Sequence, residues 1–160
     1  FLELPYLSTF SRSGKHLVVI GEGSERESLE ARAANNVEFL GRQPFSVLRE
    51  SYSKCRAFIF PGIEDFGITP LEAQASGSPV IAYGEGGALE TVIDGKTGLF
   101  FQEQTVEALI TAVEAFEKQT LNSLEMRKNA KRFSQDRFCR EIKAFLHDVA
   151  PEVMRATEGR

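Results

Sequence analysis

Two acids bracket a glycine in the stretch PGIEDFGITPLEAQASGSPVIAYGEGG, residues 61–87: Glu64 and Glu72, with seven residues between them. Gly67 stands in the middle, where the absence of a side chain permits a backbone shape or a close approach that other residues forbid. Thr69, Pro70 and Glu72 read as a helix start, with Thr as N-cap, Pro in the first turn and Glu three residues beyond the cap, the spacing of a capping box. In that reading the Glu72 carboxylate bonds the backbone N–H of Thr69. The same geometry supports a second chemistry. A helix N-terminus offers unpaired N–H groups and the positive end of the peptide dipole, which together suit a diphosphate. A carboxylate one turn in can accept from a pair of sugar hydroxyls, as the acid of a dinucleotide site grips ribose. Glu64, before the turn, is either a solvated loop acid or a group that reaches a second ring beyond the diphosphate. A carboxylate has two oxygens, so capping and binding do not exclude each other at Glu72.

Three further glycine loops lie nearby in the pattern. Gly21 to Gly23 (GEG) is too short for a dinucleotide fingerprint and reads as a strand-to-helix turn or as cleft lining. Gly41, Arg42 and Gln43 either frame a base or form a surface loop. Gly84 to Gly87 (GEGG) permits close approach to a ligand or is a turn.

The elements that must position these residues alternate. HLVVIG (residues 16–21), VEFLG (37–41), AFIFPG (57–62), SPVIAYG (78–84) and the end of GKTGLFF (95–101) read as short strands. Between them, residues 25–34 with Ser24 as N-cap, 44–55, 70–76 and 88–94 read as helices. From Thr105 onward the chain is helical, ending in one long helix or two broken ones, with a frayed tail at 151–160. Strands apolar on both faces and alternating with helices predict a Rossmann-like α/β domain over residues 1–150, its parallel sheet covered on both sides. Ligands in such sheets bind at the carboxyl ends of the strands, where all four glycine-bearing loops fall.

Composition narrows the classes. The 160 residues suffice for one domain; 42% are hydrophobic and 26% charged, with a net charge of −4 and a pI near 5.3. Nucleic acid is not an expected partner, because no basic patch is present. Cys55 and Cys139, like His16 and His147, are too far apart in sequence to read as a metal site, so none is expected. No apolar run approaches the roughly 20 residues of a membrane span. Two reduced thiols and no visible signal peptide suggest a cytoplasmic protein.

The order FLG, then FIFPGIEDFGITPLEAQASGSPVIAYGEGGALETVIDGKTGLFF, closely resembles the C-terminal donor-binding domain of glycosyltransferase family 4, the retaining enzymes of GT-B fold. The resemblance runs from about His16 to Phe101. It implies transfer of a hexose from a GDP- or UDP-sugar to an acceptor hydroxyl, with anomeric configuration kept, through an oxocarbenium-like transition state. Glu64 would be the catalytic acid of the motif, bonding hydroxyls of the donor sugar. Phe66, Gly67 and Ile68 would offer backbone N–H groups to the sugar and diphosphate, and Thr69 would sit at the diphosphate. Glu72 would hold the ribose, Gly41, Arg42 and Gln43 would border the base, and Gly21 and Gly23 would line the cleft. No cofactor or metal is implied; the helix dipole and basic side chains stabilise the leaving group. Polysaccharide or glycolipid synthesis in a bacterial envelope is the setting it suggests.

This sequence departs from the family's pattern in one place. The strand with Gly-Arg and the following Lys, which neutralise the diphosphate, are not found in residues 1–15. The first strand, central in the family's order, is therefore expected to be missing, with Leu2 to Phe10 a remnant of the first helix. An N-terminal acceptor domain is also expected to be absent, so the chain alone should bind nucleotide weakly and turn nothing over; any peripheral membrane association would belong to that domain. The alternatives are a non-catalytic nucleotide-sugar binding module and a sugar-nucleotide epimerase of GT-B fold.

Overall fold

The computed structural model describes residues 14–150. The expectations for Leu2 to Phe10 and for the tail at 151–160 lie outside those residues. Five strands and seven helices follow in the order β1 (Leu17–Ile20), α1 (Arg26–Glu30), β2 (Val37–Gly41), α2 (Phe45–Lys54), β3 (Phe58–Phe60), α3 (Ile68–Ser76), β4 (Val80–Tyr83), α4 (Ala88–Thr91), β5 (Gly98–Phe101), α5 (Val106–Glu117), α6 (Ser123–Lys131) and α7 (Gln135–Val149).

Every strand pair is parallel, as two-faced apolar strands require. The strands do not make one continuous sheet. β1 pairs with β2, and β3-β4-β5 form a separate ladder; among the described residues no strand joins them. The two ladders nonetheless share a core. Leu17 and Leu29 from the first half pack with Ile81, Leu99, Phe101 and the α5 residues Leu109, Val113 and Phe116. On the other face of the second ladder Val80, Ala82 and Phe60 meet Tyr52, Ala73, Ala88 and Val92 of α2, α3 and their neighbours. Alternation along β4 explains the division: Val80 and Ala82 point one way and Ile81 the other, and all three are nearly inaccessible.

Helix α1 differs from the sequence reading. α1 is half the expected length, because its hydrogen bonds tighten after Ala31 to Arg32 N–H onto the Leu29 carbonyl and Ala33 N–H onto that of Glu30. Ser24 does not cap it; Glu25 holds the cap position, and the first N–H, of Arg26, is met by the Gly23 carbonyl at 3.2 Å. Of the two forms expected for the C-terminal stretch, the broken one is found, and Ser134 restarts the helix by accepting from Arg137 N–H. Thr105 caps α5, its side chain accepting from Ala108 N–H at 3.2 Å.

Candidate functional site

The stretch between β3 and α3 is an exposed loop ending in a left-handed glycine. Gly67, at φ 77°, is the N-cap of α3, with no side chain bonding back onto the helix. The predicted capping box is therefore not formed. Helical geometry begins at Ile68, which moves Thr69 and Pro70 inside the first turn and leaves Glu72 too far along to return to the cap. Pro70 costs nothing there, since its missing N–H is among those with no helical partner. The backbone N–H groups of Phe66, Gly67, Ile68 and Thr69 consequently donate to no described residue. Four consecutive donors thus stand at the positive end of a nine-residue helix, where negative charge is favoured.

Glu72, released from capping, is held elsewhere. The Tyr52 hydroxyl, from α2, donates to Glu72 Oε2 at 3.4 Å, the long end for such a bond. Burial and the neighbouring carboxylate push the Tyr52 phenol up to about 12, so at neutral pH it remains a donor. Tyr52 is itself fixed: it meets Phe58 edge to face at 5.4 Å, and its carbonyl accepts from the Ser78 hydroxyl. Glu72 and Tyr52 open onto a cavity of about 940 Å³ between α2 and α3. Of the predicted site residues, Glu72 alone lines it.

Glu64 is exposed, and its loop is shaped from behind by the GEGG segment. Gly87 N–H donates to the Glu64 carbonyl at 2.7 Å. A Cβ on Gly87 would stand 2.5 Å from Phe66 Cα, and one on Gly86 would stand 2.7 Å from the Glu64 carbonyl oxygen. The close approach these glycines permit is thus to the protein's own loop. Phe66 anchors the other side of the loop, its ring 5.8 Å from that of Phe133, over which Arg132 lies at 5.5 Å. Ile63, Phe66, Ile68 and Leu89 expose their side chains along this rim.

Behind the helix start, a satisfied polar network locks α3 to α4 and α6. Gln74 Nε2 donates to the Thr91 carbonyl at 2.8 Å, and Asn129 Nδ2 donates to Gln74 Oε1 at 2.7 Å and to the same carbonyl at 2.8 Å. All three residues are buried, a setting in which every partner must be present.

The loops of the first ladder come together separately. Gly21 N–H donates to the Gly41 carbonyl at 2.9 Å. Glu22 accepts from Arg42 N–H at 3.2 Å and from Arg26 Nη1 at 2.5 Å. The space a Cβ on Gly41 would need is filled by Arg26 and Glu22, and the Gln43 amide donates to the Leu40 carbonyl at 2.6 Å. Gly21, Gly23, Gly41, Arg42 and Gln43 are thus one cluster, and Glu64 to Glu72 another.

Sequence reasoning passed over Tyr52, Phe45 and Arg49. Their spacing on α2 was visible, but only the packing of α2 beside α3 turns that stripe toward Glu72.

Comparison with known proteins agrees with this architecture. The chain is 43% identical over 84 residues to an alpha-1,3/1,6-mannosyltransferase ALG2 of Dictyostelium discoideum, covering 52% of this chain and 20% of that protein. It is 36% identical over 110 residues to a GDP-mannose-dependent alpha-(1-6)-phosphatidylinositol monomannoside mannosyltransferase of Mycolicibacterium smegmatis, covering 61% of this chain and 29% of that protein. The chain therefore spans less than a third of the length of either relative. Its fold is that of the pneumococcal O-GlcNAc transferase GtfA solved with UDP and GlcNAc, with a TM-score of 0.73 at 19% identity over 91% of this chain and 32% of that one. The family description "Glycosyl transferases group 1" matches residues 6–133, and with most of its length so matched the chain belongs to that family of glycosyltransferases.

Proposed function

We propose that this chain is the donor-binding part of a retaining hexosyltransferase, taking a nucleotide-diphosphate sugar and passing the sugar to an acceptor hydroxyl. The observation that carries the reading is the row of unpaired N–H groups from Phe66 to Thr69, with Glu72 one turn beyond and Glu64 on the other side of the turn. The diphosphate sits at the helix start, where the peptide dipole stabilises the charge that the leaving group gains. Glu72, steadied by Tyr52, accepts from the ribose hydroxyls. Glu64 bonds hydroxyls of the transferred sugar and is the catalytic residue of the motif. No metal is assigned a part. The relatives named for mannosyl transfer and for GDP-mannose support a hexose of that kind on GDP, and the UDP-bound structural neighbour supports UDP as the other candidate.

Acceptor binding and the cations that neutralise the diphosphate are assigned to a further part of a longer protein. This chain accordingly binds donor without turnover. Ligand-observed NMR with GDP and UDP tests the reading directly. Binding is expected for wild type, with Glu72→Gln weakening it about tenfold or more, the worth of a charge-assisted hydrogen bond. Saturation by neither nucleotide, or equal binding by Glu72→Gln, refutes it.

A further inference from the structure

The joint between α6 and α7 reaches both the loop before α3 and the body of α3. We infer that Phe133, in this joint, is a positioning residue for the diphosphate; this rests on the nucleotide reading above and extends it to a residue far outside the acid motif. Phe66 opens the row of unpaired N–H groups. Its ring meets that of Phe133 at 5.8 Å between centroids and 66° between planes, a favourable edge-to-face arrangement. Among the described residues, no other ring is in contact with that of Phe66, which is 43% exposed. The backbone of Phe66 is packed as well, against Gly87, where a Cβ would stand 2.5 Å from Phe66 Cα. The first donor of the row is therefore held by its backbone at Gly87 and by its side chain at Phe133.

The joint is itself fastened to α3. Arg132 lies over the Phe133 ring at 5.5 Å, and its Nη1 donates to Asn129 Oδ1 at 2.9 Å. Asn129 Nδ2 donates in turn to Gln74 Oε1 at 2.7 Å, and Gln74 belongs to α3, the helix whose first turn carries the row. From α7, Arg137 Nη1 donates to the Arg132 carbonyl at 2.7 Å, and Ser134 caps that helix directly after Phe133. Residues 129–134 thus grip α3 through Asn129 and the loop before α3 through Phe133. The spacing between loop and helix decides whether the N–H groups of Phe66 and Gly67 aim at the same anion as those of Ile68 and Thr69. Hydrogen bonds weaken steeply once their angle is lost, so releasing Phe66 costs the diphosphate contact first. Glu72 is spared, because its partner Tyr52 lies on α2.

The test compares GDP with GMP and UDP with UMP, each pair differing by one phosphate, on this chain as wild type, Phe133→Ala, Phe133→Leu and Glu72→Gln. Wild type is expected to bind the diphosphate about tenfold or more tighter than the monophosphate, the worth of charge-assisted bonds to the added phosphate. Phe133→Ala lowers that ratio about fivefold, the scale of an aromatic pair. Phe133→Leu keeps apolar bulk without the ring and lowers the ratio in the same direction. Glu72→Gln weakens both members of a pair and leaves their ratio. A purely structural role for Phe133 would act through the folded fraction and weaken both members alike, so the ratio carries the test. The inference is overturned if the wild-type ratio survives Phe133→Ala, or survives Phe133→Leu where the alanine variant does not fold, while Glu72→Gln still weakens every nucleotide; the nucleotide reading then stands alone. Equal binding of diphosphate and monophosphate by wild type also overturns it, since there is then no phosphate contact to position. If no nucleotide binds to folded wild type, both fall together.

Discussion

Two loop clusters crown the carboxyl ends of the strands, and different forces hold them. The loop carrying Glu64 is shaped by backbone against backbone, with Gly86 and Gly87 pressed on Glu64 to Phe66, and its helix is backed by the buried Gln74–Asn129–Thr91 network. The loops carrying Gly21 and Gly41 are held largely by exposed charge, with Arg26 between Glu22 at 2.5 Å and Glu30 at 2.7 Å. The strands beneath them differ in the same sense. Val80 to Ala82 are almost wholly buried, whereas Val18 of β1 is 39% exposed. Surface ion pairs contribute little and are screened by salt, while packed backbone and satisfied buried polar groups are insensitive to it. The backbone that carries Glu64 and the helix that carries Glu72 are therefore held by contacts that salt does not loosen, whereas the ion pairs of the glycine cluster are open to screening.

That contrast can be broken most forcefully at the buried network. Asn129→Leu strands the Gln74 oxygen and removes one of the two donors to the Thr91 carbonyl, and is expected to cost about 3 kcal/mol in urea unfolding. Gly87→Ala follows, at about 2 kcal/mol from overpacking against Phe66, and it should lower nucleotide affinity together with stability because it displaces the Glu64 loop.

A smaller effect belongs to alkaline pH. The Tyr52 phenol is raised in the folded state from its ordinary 10.0 to about 12, so the fold retains this proton longer than the unfolded chain does. Its contribution is complete below pH 10 and is lost as pH rises toward 12. Tyr52→Phe should flatten that segment of the stability–pH curve, and an unchanged slope would show that the phenol is not coupled to folding.

The least effect is expected in the first cluster. Glu22→Gln should leave the unfolding midpoint where it was and speed hydrogen exchange at the Arg42 amide, whose acceptor it weakens. Added salt should reproduce that faster exchange in wild type and leave the amide of Gly87 unaffected.

Much of this was legible in the residues. The runs LVVI, VEFLG and VIAY carry β-branched or aromatic members and form strands; VIAY is covered on both faces, whereas the other two each leave one residue exposed. Thr105 and the apolar spacing after it specify α5, because a local cap and a 3.6-residue period need no distant partner. The motif from Glu64 to Glu72 marked the loop where the unpaired donors lie. Glu72 was the residue least legible from spacing, because a Thr-x-x-Glu sequence suits a cap whether or not the helix begins at the Thr.

The sequence by itself determined the parallel α/β alternation, the loop that bears the acids and the family to which the chain belongs, since each rests on short-range pattern. Only the tertiary structure decided where α3 starts, which surface GEGG approaches and what Glu72 touches. Packing sets the start of α3 at Gly67, brings the glycine loop against Glu64 and places Tyr52 beside Glu72, joining residues 20 or more positions apart. Such contacts depend on how helices lie across a sheet, a choice that no local spacing encodes.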